Sequence, residues 1–340
     1  MSFAAGSVAG RYTDEGYFRT IVLIGTITGV FGIMITSICK EYYQFFLVQG
    51  AMLGISQGLL FTPAVAVVAT WFRRKRALAL GIVAVGSSVG GLCFPIMLTK
   101  LIPKIGFGWS VRTIGFMVLA FDIIALATMK SRLPPRLPGP IFDFSAFKSA
   151  AYNFFVAGMF FGFLAVYTPF YYIEQCAIRD GISPDIAFYL LSVINAASTF
   201  GRVIPSYLAD KFGAMNIFIP AVLVTAIIIF IWPATYNLAS LILFACIFGF
   251  SSGVFVSMPP TVLASLSSDM SKVGTQLGMA FLIIGFATLI GTPLTGAIIS
   301  AQSGSYSGAA GFAGGCLLIG GSCMIIARSK VVGWKFFVKV

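Results

Sequence analysis

No histidine occurs anywhere in the 340 residues. The side chain that most often serves as general base, proton shuttle or metal ligand is therefore missing. With it go the Ser–His and Cys–His nucleophile pairs. Charge is scarce as well: Asp, Glu, Lys and Arg make up 9% of the chain, against roughly 25% in a soluble domain. A water-facing surface cannot be assembled from so few charges when 59% of residues are hydrophobic and mean hydropathy is +0.99. The six cysteines, at 39, 93, 176, 246, 316 and 323, include no CxxC pair. They read as small apolar packers, not as a disulfide framework or a metal site. Paired carboxylates and metal-ligand spacings are also lacking, which argues against an enzyme and implies no cofactor. No Asn-x-Ser/Thr sequon is present, and Met1 opens neither a basic n-region nor a cleavage site.

What the chain does have is long apolar runs, each able to cross about 30 Å of hydrocarbon as a helix. Runs such as Ile217–Trp232 lack the period-two alternation of a membrane β-barrel. The pattern predicts an all-α membrane protein with ten complete transmembrane helices, near 20–39, 44–70, 77–100, 112–130, 150–173, 186–207, 215–235, 238–265, 273–300 and 309–328. Residues 1–10 resemble the end of an eleventh. The longest connection, 131–149, holds Pro134, Pro135, Pro138 and Pro140 and cannot be helical throughout. It reads as a linker between an N-terminal half, 1–130, and a C-terminal half, 150–340.

The formal charge of +12 is no sign of nucleic-acid binding, because the basic residues sit between spans and set topology. If the Trp71–Arg76 loop is cytoplasmic, that side also holds Arg11, Arg19, Lys130, Arg132, Arg136, Lys148, Lys211, Lys272, Arg328, Lys330, Lys335 and Lys339. With Arg73, Arg74, Lys75 and Arg76 these are 16 of the 22 Lys and Arg residues. The opposite side holds Lys40, Lys100, Lys104, Arg112 and Arg179. This bias supports the alternation of spans and a cytoplasmic C-terminus.

The chain repeats itself at an offset of about 196 residues. Gly54-x-Ser-x-Gly58 followed by Pro63 recurs as Gly249-x-Ser-x-Gly253 followed by Pro259, and the loop at Asp14 recurs at Asp210. Parallel repeats in an apolar chain are a mark of transporters. Aligning the halves places residue 1 inside the second helix of a twelve-helix plan, so an N-terminal helix pair is expected to be missing. A chain without that pair is expected to be unstable or inactive by itself, since polar faces would meet lipid.

Both Gly-x-Ser-x-Gly segments match the nucleophile-elbow pattern of serine hydrolases. That reading fails for want of a strand–turn–helix context and a histidine. Small residues four apart let membrane helices approach closely. Pro63, Pro259, Pro260, Pro95 and Pro293 are expected to kink their helices. Arg202 is the best single site candidate, because a guanidinium inside a span has to face a cavity or a partner, or snorkel to the headgroups. Asn195 and Ser198 lie on the same predicted helix. Tyr167 and Tyr171, with Glu174 behind them, form either an outer aromatic belt or a substrate-facing cluster. Asp122 is an intramembrane carboxylate with no evident partner nearby in sequence. Asp14 and Asp210 can each cap the helix that follows. A cytoplasmic latch between halves is the sharper reading of Asp14 with Arg11 and Arg19, and of Asp210 with Lys211, beside the basic loop of Arg73 and Arg76.

At these residues the chain resembles the major facilitator superfamily. Ser206-Tyr-Leu-Ala-Asp210-Lys-Phe-Gly213 and Gly10-Arg-Tyr-Thr-Asp14-Glu-Gly16 look like that family's Gly-x-Leu-Ala-Asp-x-x-Gly loop. Trp71 through Gly90 is similar to the fourth-to-fifth-helix signature of monocarboxylate-porter-like members. Asn195 through Arg202, Gly249 through Gly253, and Gly274 through Pro293 resemble the fungal branch. The resemblance implies a twelve-helix fold with alternating access, and it matches Arg202 to an arginine that contacts substrate carboxylates. Ser198 stands where better-known members carry the acidic partner of that arginine, which tells against proton symport by the pair.

The reading is a secondary transporter of a small organic solute, monocarboxylate-like or another small metabolite. Its partners are the lipid bilayer and that substrate, with the plasma membrane as its site. The alternative is a truncated, non-transporting membrane protein or sensor of the same fold.

Overall fold

Backbone groups inside a bilayer have to be satisfied internally, and a helix does so within one segment. The computed structural model describes residues 2–72, 74–132, 144–266, 273–333 and 338. Among these residues no strand occurs. The helices are α1 (Ser2–Tyr12), α2 (Phe18–Thr36), α3 (Tyr42–Trp71), α4 (76–105), α5 (107–128), α6 (Ala150–Ala165), α7 (Thr168–Arg179), α8 (Pro184–Phe212), α9 (Ala214–Ile231), α10 (Leu238–Ser257), α11 (Pro259–Leu266), α12 (Val273–Ala301) and α13 (Ser307–Val332).

Nine apolar helical stretches among the described residues are long enough to cross a membrane. One of them, Arg76–Thr128, has 53 residues, or roughly 80 Å at 1.5 Å per residue. That far exceeds one hydrocarbon thickness. It is two spans joined at Gly106, whose φ of 76° and ψ of 165° interrupt the helix. The ten expected spans are thus present, but the expected loop at 101–111 is a single-residue break between α4 and α5.

Two expected spans are divided. The helix expected over 150–173 ends at Ala165, restarts at Thr168 and runs on to Arg179. Pro169 lacks an N–H and its ring crowds the carbonyl four residues back, so the helix restarts with proline in its first turn. The helix expected over 238–265 likewise breaks at Met258, ahead of Pro259 and Pro260. Pro63 and Pro293 lie within continuous helices.

The repeat has a local counterpart in the backbone. Gly16, between α1 and α2, and Gly213, between α8 and α9, both adopt a φ of 98°. These are the glycines two and three residues after Asp14 and Asp210.

Packing divides the chain into two compact units. The first comprises Met1–Arg73, Cys93–Asp143 and Asp269–Gly285. In it Gly58 brings α3 against the backbone of Ser2 and Gly6 in α1, and Ser56 Oγ donates to the Gly25 carbonyl at 2.8 Å. Phe18, Val22 and Val67 form a small core with Leu60, Leu126 and Met129 against it. The second unit comprises Arg74–Leu92, Phe144–Ser268 and Phe286–Val340. Its core holds Phe155, Phe218, Trp232, Phe248 and Phe255, all fully buried. Glycine lets its helices approach closely: Gly158 meets Gly320 between α6 and α13, and Gly249 and Gly253 meet α8 from α10. Ile27, Phe121, Phe200 and Leu289 point outward. Large apolar side chains exposed in this number suit a lipid surface and not water.

Candidate functional site

Four of the polar side chains that the sequence singled out, Asn195, Ser198, Arg202 and Asp210, converge on one seam of the second unit, where α8 lies antiparallel to the first part of α4. At one end Asp210 Oδ1 and Oδ2 accept the backbone N–H groups of Ala77 and Leu78, each at 3.0 Å. Next, the Arg202 carbonyl and the Ser206 hydroxyl lie directly against Gly81, where a Cβ would not fit. Arg202 Nη1 then donates to the Ala84 carbonyl and to Ser87 Oγ, and its Nε donates to Ser198 Oγ at 3.2 Å. Ser88 Oγ donates to the same Ser198 oxygen at 3.3 Å. At the far end Asn195 Nδ2 donates to the carbonyls of Gly91 at 3.4 Å and Leu191 at 3.0 Å.

The other flank of α8 is held as closely. Gly201 lies against the Phe250 backbone, Gly249 against the Ile194 carbonyl and Gly253 against the Ser198 carbonyl. A helix gripped by glycines on both sides has little freedom to rotate, so the register of Asn195, Ser198 and Arg202 is set by packing. Their i, i+3 and i, i+4 spacing places all three on one face.

Arg202 is 5% exposed. Its partners are two hydroxyls and a carbonyl, all neutral, and among the described residues no carboxylate forms an ion pair with it. The result is a buried positive charge solvated by protein dipoles and not offset by a negative one. Tyr167 lies at the break between α6 and α7, and its ring packs between Phe163 and Phe170. Tyr171 is 62% exposed, and the ring that anchors to the neighbouring helix is Tyr172, which donates to the Thr292 carbonyl at 3.3 Å. Glu174 is half-buried, one turn further on.

The latch residues have different surroundings from those the sequence suggested. Asp210 lies in the last turn of α8 and caps the first turn of α4, not the helix that follows it. Lys211 sits over the Tyr207 ring at 4.4 Å. Arg11 pairs with Glu15 at 3.2 Å, and Arg19 is exposed. Arg76 Nε is buried without a hydrogen bond among the described residues. Arg73 and the Asp14 side chain lie outside the described residues. Ala84, Ser87, Ser88 and Gly91 went unassigned in the sequence, although the small-residue run Gly86-Ser-Ser-Val-Gly90 was visible there.

Comparison with known proteins places this arrangement. The profile of the Major Facilitator Superfamily matches residues 1–238. An MFS-type transporter of Gibberella zeae is 39% identical over 336 residues, covering 98% of this chain and 76% of that protein. The aspyridones efflux protein of Emericella nidulans is 36% identical over 324 residues, covering 94% of this chain and 66% of that protein. Among solved structures, the human organic anion transporter MFSD10 superposes with a TM-score of 0.77 at 16% identity, over 95% of this chain and 80% of its own. The Escherichia coli fucose:proton symporter does so with a TM-score of 0.70 at 15% identity, over 97% and 89%. The buried arginine seam thus sits in a transporter fold and not in an enzyme, and the chain belongs to the Major Facilitator Superfamily.

Proposed function

We propose that the chain moves a small organic anion, of monocarboxylate or similar character, across its membrane by alternating access, with Arg202 as the charged contact. The observation that carries this reading is the buried guanidinium whose partners are all neutral. A cation at such depth costs several kcal/mol, the size being disputed. A bidentate carboxylate offsets that cost best, because it matches the guanidinium fork. Asn195, Ser198, Ser87 and Tyr167 supply the neutral polar groups around it. Relatives named as efflux proteins support outward movement of a small metabolite.

In this reading the cap of Asp210 on α4 is the latch. It lies at the basic, cytoplasmic end, where the halves 1–130 and 150–340 part to expose Arg202. The C-terminus faces the same side, and the plasma membrane is the site of action. Ser198 supplies no carboxylate to Arg202, so the pair carries no proton.

The test is uptake of labelled short-chain monocarboxylates and larger organic anions into proteoliposomes. Arg202→Ala is expected to reduce uptake tenfold or more, the effect of losing a charged hydrogen bond of about 1.5–3 kcal/mol. Uptake of every anion at the unmodified rate by Arg202→Ala would refute the anchor role.

A further inference from the structure

The seam occupies one face of α8, with Asn195, Ser198, Arg202 and Ser206 all buried. The opposite face is exposed at Phe200, Ile204, Tyr207 and Lys211. Their spacing of four, three and four residues makes one helical stripe. It is apolar along its length and ends in a cation. Lys211 does not extend past the helix end. Its ammonium folds back over the Tyr207 ring, 4.4 Å from the centroid, in the direction helical side chains lean. The charge is thereby held on the exposed face of α8.

The start of α4 is built alike. The Lys75 carbonyl accepts the Ala79 N–H at 3.0 Å, so Lys75 stands at the head of the helix. Ile82 and Val89 follow at intervals of seven residues, close to two turns each, and all three are exposed. Antiparallel packing brings the two charged ends together. Asp210 Oδ1 accepts the Ala77 N–H, two positions from Lys75, and Lys211 follows Asp210 directly. Arg74 is exposed beside Lys75, and Arg76 is half-buried with its Nε lacking a hydrogen bond.

Four cations therefore share this end of the seam. Asp210 is the only acidic residue in 71–78 and 203–213, and both its oxygens accept N–H groups. The ion pairs among the described residues are Arg11–Glu15 and Arg179–Asp180, and none of the four cations takes part in them. Topology explains why basic residues gather at one end of the spans. It does not explain why two lysines head exposed apolar stripes. From Phe200 to Lys211 the stripe on α8 is about 16 Å long at 1.5 Å per residue. That is half of a hydrocarbon core of about 30 Å, or one leaflet. A phosphate suits the ammonium groups, and a molecule carrying acyl chains suits the stripes below them, which a soluble anion would leave uncovered.

We propose that Lys75 and Lys211, with Arg74 beside them, bind the headgroup of an anionic phospholipid. Its acyl chains lie along Phe200, Ile204 and Tyr207 of α8 and along Ile82 and Val89 of α4.

Native mass spectrometry of the purified full chain in detergent tests the site without any transport, so it stands or falls separately from the anion-carrier reading. Phosphatidylserine and phosphatidylcholine with the same acyl chains are added together, and phosphatidylserine is expected to bind in preference. Lys75→Ala with Lys211→Ala should weaken its binding about 25-fold, or about fivefold for each charge removed. Lys148→Ala with Lys330→Ala removes two exposed lysines elsewhere in the second unit and should leave binding unchanged. Glycerophosphoserine, the headgroup without acyl chains, should not displace the lipid at equal concentration. Equal weakening in the two double variants would mean a diffuse effect of charge and overturns the site. Phosphatidylcholine bound as tightly as phosphatidylserine overturns it too, and displacement by glycerophosphoserine overturns the lipid as occupant. Should the Lys75 and Lys211 double variant fail to fold, the two single variants decide: a fivefold loss in each supports the site, and unchanged affinity in both overturns it.

Discussion

The carboxylate of Asp210 accepts the backbone N–H of Leu78 at 3.0 Å, across 132 positions of sequence. With the matching bond to Ala77, the last turn of α8 closes the first turn of α4. Two N–H groups that a helix leaves open are satisfied by a carboxylate placed at its positive end. Asp210→Ala removes both acceptors. Loss of a cap costs about 0.5–2 kcal/mol, so the purified protein should unfold at lower temperature. Asp210→Asn keeps one acceptor and should fall between the two. Thermal unfolding of the three proteins checks the order, and an unfolding temperature unchanged in Asp210→Ala would show that the cap contributes nothing.

Ser198 Oγ lies 3.2 Å from Arg202 Nε, so the residue at 198 decides whether the guanidinium has a counter-charge. Ser198→Asp would put a carboxylate beside it. Two effects of opposite sign follow. The buried charge becomes paired, which should raise thermal stability. On the proposed anion-carrier function, the substrate loses the unpaired cation that would hold it, and uptake of anions should fall tenfold or more, equivalent to about 1.4 kcal/mol. Measuring both on one protein separates this from general damage, which would lower stability and uptake together.

Gly81 and Gly86 lie five residues apart on α4 and should respond oppositely to the same change. A Cβ at Gly81 would run into the Arg202 carbonyl and the Ser206 hydroxyl, whereas a Cβ at Gly86 meets nothing within 4 Å. Gly81→Ala should therefore cost about 1–3 kcal/mol by overpacking. Gly86→Ala should gain up to about 1 kcal/mol from helix propensity. Unfolding temperatures that move in the same direction would contradict the seam packing.

Much of this architecture was legible in the residues, and the exceptions have physical causes. Apolar length alone sufficed for the spans, because hydrocarbon thickness imposes a minimum on each. It could not tell a loop from a one-residue reversal, so the junction at Gly106 was expected as 101–111. Pro169 carried the signal for the α6–α7 break, but a proline in a membrane helix can be accommodated without dividing it, and Pro63 and Pro293 do not divide theirs. Arg202 stood out because a buried guanidinium is costly wherever it lies. Its partners on α4 did not, since the Ser87 hydroxyl is of a kind scattered through every apolar helix and the Ala84 carbonyl is backbone, and only the fold brings them to α8. Asp210 was recognisable as a cap, but sequence spacing offered only the next helix, whereas the open N–H groups that reach it belong to α4.

The paired turns at Gly16 and Gly213 permit a finer prediction, because they share a φ of 98° yet differ in ψ. Gly16 has a ψ of 0° and Gly213 a ψ of 142°. The first combination resembles the third position of a type II turn, which glycine prefers and asparagine accepts. The second lies close to the region that only glycine occupies readily. Gly16→Asn should therefore be tolerated, at a cost of well under about 1 kcal/mol, while Gly213→Asn should cost about 1–3 kcal/mol. Alanine has no side-chain amide to stabilise a left-handed turn, so Gly16→Ala should be worse than Gly16→Asn, and at Gly213 the two replacements should be equally damaging. Unfolding temperatures of the four variants test this directly. Equal tolerance of asparagine at both sites would mean that the turns are interchangeable and that the repeat extends to their full backbone geometry.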